Sequence, residues 1–213
     1  MKRKGIIKRT ITDHIDEHRS IYIFSIVLLS MGVIFGAIIV NSLGMSQKND
    51  LYSYVSLFFG QVEHGEFATS SDMFTQSFVH YSKYIGLMWV LGLSVIGLPI
   101  IFVLLFIKGL VVGFTVGFLV NQMGLDGFLL SFAIIFPQNI ILIPVFIAVA
   151  TFATSFSLKI WRQVTRRGYE PIFHYFLSYS LFLLFVGVFI TIVSAYEAYV
   201  SPGLMKLVFS WLS

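Results

Sequence analysis

The stretch GLPIIFVLLFIKGLVVGFTVGFLVNQMGLDGFLLSFAIIFPQNIILIP (Gly97–Pro144) decides how this chain folds. It is almost wholly apolar, yet it carries Gly109, Gly113 and Gly117, the prolines Pro99, Pro137 and Pro144, a lone Lys108 and the amide pair Gln138-Asn139. In water such a segment would aggregate. In a bilayer it reads as closely packed helices with a break, and the break is where polar groups gather.

The rest of the chain agrees. Hydrophobic residues make up 57% and charged residues 11% of the chain, and mean hydropathy is +0.89; soluble domains carry roughly 25% charge. The length of 213 residues suffices for one compact membrane domain without a second, soluble one. There is no cysteine, which excludes disulfides, a thiolate metal site and a cysteine nucleophile. The net charge of +4 is not a nucleic-acid signal, because the basic residues cluster beside the apolar runs.

Residues 1–20 are basic, with Ile7, Ile11 and Ile15 on one helical face. They predict a cytoplasmic amphipathic helix lying on membrane lipid. Residues 21–40 are long enough to span and lack the small-residue cleavage site of a signal peptide. Residues 41–83 form an outer amphipathic loop, in which Leu51, Tyr54, Val55, Phe58, Phe59 and Val62 recur at helical spacing. Further spans are predicted over about 84–107, 109–123, 137–158 and 172–195, with Lys108 ending one and Pro99 kinking it. Residues 21–200 thus form a single transmembrane domain, and 201–213 a C-terminal tail.

Residues 127–158 are too long for one straight crossing. Pro137 suits the first turn of a new helix, so a broken or re-entrant segment is predicted near 127–144. The expected fold is all-α: a polytopic helical bundle of about five transmembrane helices. Eleven Lys and Arg then fall on the inner side, Lys108 among them, against Lys48, Lys83 and Lys206 outside. This bias places the N-terminus in the cytoplasm and the C-terminus outside.

The chain offers little catalytic chemistry. His14, His18, His64, His80 and His174 are scattered, with no H-E-x-x-H or similar ligand spacing, so neither a metal nor another cofactor is expected. There is no phosphate loop, no G-x-S-x-G elbow and no intramembrane aspartate pair; the chain does not read as an enzyme. Gly109, Gly113 and Gly117 form overlapping G-x-x-x-G motifs suited to helix packing. Leucine at Gly113 or Gly117 should wedge helices apart, and alanine should be much milder. Pro137, Gln138 and Asn139 mark the predicted helix break, where the amides tie off freed backbone or, less favoured, hold a solute at half-helix ends. Lys108 and Asp126 fall near predicted interfaces, so no proton relay is expected. The aromatic face at Tyr54, Phe58 and Phe59 is the candidate partner-binding surface.

Residues 96–127, followed by FPQNIILIP and the basic KIWRQ, resemble the stage II sporulation protein M family of endospore-forming bacteria. The similarity in length, basic N-terminal helix and acidic outer loop extends over nearly the whole chain. Relatives in the wider family read Pro-His-Gly followed by a glutamate where this chain has Pro137-Gln138-Asn139 and then Ile143, so ionisable chemistry tied to that motif does not transfer. The resemblance implies a non-enzymatic scaffold in forespore engulfment, in the mother-cell septal and engulfing membrane. It also implies stage II sporulation proteins D and P, which degrade peptidoglycan, as partners. A homo-oligomer is left open, and the alternative is a small-solute transporter or channel using the Pro137 break.

Overall fold

A computed structural model describes residues 15–64, 69–166 and 172–212. Among them there is no strand. The helices are α1 (Arg19–Ser42), α2 (Met45–His64), α3 (Ser70–Gly92), α4 (Gly97–Met123), α5 (Leu125–Arg166) and α6 (Ile172–Ala195). A π-helical turn, Tyr196–Val200, follows α6 and leads into α7 (Ser201–Leu212). Most of the predicted N-terminal helix, residues 1–14, lies outside the described residues.

Contacts fix the direction of each helix. Between α1 and α4, Phe24 meets Phe102, Gly32 and Gly36 lie against Phe106 and Leu110, and Gly117 lies against Ala37. The two numberings rise together, so α1 and α4 are parallel. The chain must therefore return through the same depth between them, and α3 is that return leg. Tyr84 on α3 donates to the Leu104 carbonyl on α4, and Leu91 lies beside Gly97, which is antiparallel pairing. The α5 helix runs back along α4, with Gly127 beside Leu119, and α6 runs back along α5, with Phe152 stacked on Phe182. The bundle has five legs of alternating direction.

Four stretches within it are long and apolar enough to cross a membrane: Arg19–Ser42, Gly97–Met123, Leu125–Gln163 and Tyr175–Leu207. The return leg α3 is less apolar because it carries Asp72, His80 and Lys83. Outward faces such as Ile23, Val27 and Ile34 on α1, or Leu184, Val188 and Ile192 on α6, are exposed and aliphatic. A surface of that kind is stable in lipid, not in water. The chain is an all-α polytopic membrane bundle.

Two sequence-based boundaries are corrected. The predicted spans 84–107 and 109–123 meet at Lys108, whereas the helices part at Leu93–Ile96. Pro99 sits in the first turn of α4, where its missing N–H costs nothing, so it opens a helix and does not kink one. Lys108 thereby moves from an interface to the interior of α4. The predicted break near 127–144 is absent, and α5 runs unbroken through Pro137 and Pro144. Proline is tolerated inside membrane helices when side chains and neighbouring helices serve the freed backbone.

The core lies between α3, α4, α5 and α6. Ile85 and Met88, Ile101 and Leu105, Leu142 and Phe146, and Val186 and Val193 are buried there. Tyr179 ties it together, stacking between Trp89 and Phe156 and donating to the Trp89 carbonyl at 3.0 Å.

Candidate functional site

The glycines of α4 lie on one seam against α1. A Cβ added at Gly109 would strike the Leu29 carbonyl, and one at Gly113 the Val33 carbonyl. At Gly117 the nearest atom is the Ala37 Cα at 3.0 Å. The glycines Gly32 and Gly36 of α1 meet α4 backbone in the same manner. Backbones this close gain van der Waals contact and weak C–H···O attraction that larger residues forbid. At the far end of the seam Asn121 Nδ2 donates to Asn41 Oδ1 at 3.3 Å.

Pro137, Gln138 and Asn139 lie within α5. Asn139 is buried, and its Nδ2 donates to the Ile135 carbonyl at 2.8 Å. Gln138 is half-buried. The Asn139 amide therefore serves its own helix next to the proline, and no pair of half-helix ends exists to hold a solute.

The α2 helix stands apart from these seams. Tyr54 is 72% exposed and Leu57 67% exposed, with Met45 and Tyr52 also exposed. The side chains of Phe58 and Phe59 lie outside the described residues. Among the described residues α2 packs against α7.

At the opposite end, His18 precedes α1. Partial burial holds its imidazole below the ordinary histidine range, and the nearby Lys159 and Arg162 act in the same direction, while Glu17 opposes them. Among the described residues, no three His, Asp or Glu side chains converge as metal ligands.

One cluster is not apparent from the sequence. Tyr81 on α3 donates its hydroxyl to Glu197 Oε2 at 3.0 Å. Lys108 Nζ sits 5.4 Å from the centre of the Tyr81 ring and 5.1 Å from that of Phe146. The Glu197 carboxylate lies within Coulombic range of that ammonium. A signal was present: Lys108 is the one charge in Gly97–Met123, and Glu197 the one acid in Ile172–Leu212. Read with α4 as a single helix, Lys108 demands a partner; the misplaced helix boundary hid that demand.

No curated protein and no solved structure matched the chain. A family model described as Stage II sporulation protein M matches residues 25–202, from the seventh residue of α1 to the start of α7. That match takes in all five legs of the bundle, the glycine seam and the Tyr81–Lys108–Glu197 cluster, and the chain belongs to the stage II sporulation protein M family, a sporulation-related group of membrane proteins not known as enzymes.

Proposed function

We propose that this chain is a membrane scaffold of the sporulation engulfment complex. In this reading it localises peptidoglycan-degrading partners, stage II sporulation proteins D and P, at the mother-cell septal and engulfing membrane. The observation that carries the reading is the contrast between the bundle and α2. The legs of the bundle are locked by backbone-to-backbone contact and an apolar core. The α2 helix presents Met45, Tyr52, Tyr54 and Leu57 outward on a segment too polar to be buried in lipid. A rigid frame that holds out an aromatic helix suits the recruitment of another protein. The positive-inside charge bias supports the orientation, with the N-terminus cytoplasmic and α2 outside. The transporter alternative loses its geometric basis, since α5 is continuous at Pro137.

The test tracks a fluorescent peptidoglycan-degrading partner at the septum of sporulating cells. Tyr54→Glu with Leu57→Glu should abolish its localisation while the membrane protein still accumulates. Normal localisation in that variant would remove α2 as the docking face.

A further inference from the structure

Lys108 lies eleven residues past the start of α4, about 17 Å along its axis at 1.5 Å per residue. The six residues on either side of it are apolar. A charge so placed is costly unless something in the protein answers it, and the scaffold reading gives it no role. Its ammonium faces two aromatic rings, Tyr81 and Phe146, which attract a cation but do not neutralise it. Among the described residues, Glu197 is the acid whose charge acts on it.

Glu197 sits in the π-helical turn Tyr196–Val200. Such turns widen a helix by one residue, and they recur where a side chain must be re-aimed for a purpose. Here the widened turn leaves Ala198 buried, 1% exposed, and carries the Glu197 carboxylate to the Tyr81 hydroxyl. Tyr81 thus meets both charges: its ring face takes the ammonium and its hydroxyl donates to the carboxylate.

We infer that Lys108 and Glu197 form a charge-compensated lock, bridged by Tyr81, that holds the C-terminal helical segment against α3 and α4. Each charge alone is a liability in the apolar bundle; together they cancel and add a directional tie. The lock joins three elements far apart in sequence at the joint between α6 and α7. Because α7 is the helix on which α2 packs, the lock also sets where the outer amphipathic helix stands. It does so whatever α2 recruits.

The absence of cysteine makes the test clean. Ala198→Cys places a single thiol at the buried joint of the full-length protein, reconstituted in lipid nanodiscs and exposed to N-ethylmaleimide. In an otherwise unaltered chain that thiol should react slowly. Lys108→Met or Glu197→Gln, each leaving one charge unanswered, should speed labelling by about tenfold or more. The double variant Lys108→Met with Glu197→Gln keeps similar side-chain bulk and buries no net charge, so its rate should return to within about threefold of the parent. Tyr81→Phe should accelerate labelling by less than either charge removal. Fast labelling in the parent, unchanged rates in the single variants, or a double variant showing the product of the two single effects would each overturn the lock. Where a single variant fails to accumulate, recovery by the double variant supports the lock, and failure of the double variant refutes it. No partner protein enters these readouts, so their failure is distinct from failure of the scaffold reading.

Discussion

At the residue scale, Gly113 and Gly117 look alike in sequence and differ in the fold. The Gly113 Cα hydrogens face the Val33 carbonyl, so even a methyl collides with backbone, which cannot swing aside. Gly117 faces Ala37 with its nearest atom at 3.0 Å, a gap that a few tenths of an ångström of helix movement relieves. Gly113→Ala should therefore cost about 1–3 kcal/mol, the range for overpacking, and Gly117→Ala clearly less. Reversible unfolding in mixed micelles measures both. Alanine stays milder than leucine at both positions, with the larger cost at Gly113. His18 yields a second prediction. Its pKa is lowered by burial, then by Lys159 and Arg162, so the folded state binds its proton less readily than the unfolded chain. The stability this supplies is present above the unfolded value of about 6.5 and is lost as pH falls below it. An NMR titration should place the His18 midpoint below about 6.5, and His18→Gln should flatten the acid limb of stability below about pH 6.5.

At the element scale, α5 shows how a proline can be carried inside a membrane helix. Pro137 offers no N–H to the Ala133 carbonyl four residues back, and the Asn139 side chain braces the neighbouring Ile135 carbonyl in the same turn. Asn139→Ala removes that bond, and side-chain hydrogen bonds in membranes average about 0.6 kcal/mol. The variant should accumulate and fold, with α5 still helical through 137 by spin-label accessibility periodicity. A change of period at 137 in that variant would show that the amide holds the helix together. Gln138→Ala, with no bond of its own to lose among those described, should be milder still. The same rule of proline placement applies with the opposite outcome at Pro99, which lies in a first turn and opens α4.

At the scale of the whole molecule, the parallel pairing of α1 with α4 gives five alternating legs, so Arg19 and Ala195 lie at opposite ends of the bundle. Cysteine at Asp50 should react with an impermeant maleimide added to intact cells, and cysteine at Arg162 should react only after permeabilisation. Labelling of both from outside would break the five-leg topology. That the chain is an all-α polytopic bundle was legible beforehand, since apolar length depends on composition alone. The position of the α3–α4 break was not. Lys108 and Gly109 look like an end to a span, and the local cue to the turn at Leu93–Ile96, Pro99 in a first turn, reads equally as a kink.

The amino-acid order alone is enough for the features that lipid, as a solvent, imposes. It dictates an all-helical bundle, because lipid requires backbone groups to be satisfied within the protein and apolar runs this long satisfy them as helices, and spans where apolar residues run on. It also marks Gly109, Gly113 and Gly117 as small enough for close approach. Which helix approaches them, and in which direction, is settled only by packing in three dimensions, since parallel α1 and α4 are far apart in the chain. The same holds for Tyr81, Lys108 and Glu197. Each reads in sequence as an isolated polar residue; their meeting depends on α3, α4 and a π-helical turn arriving at one depth. Long-range electrostatic pairing leaves no periodicity in a chain, because it is selected by where side chains end up in space and not by their spacing along the backbone.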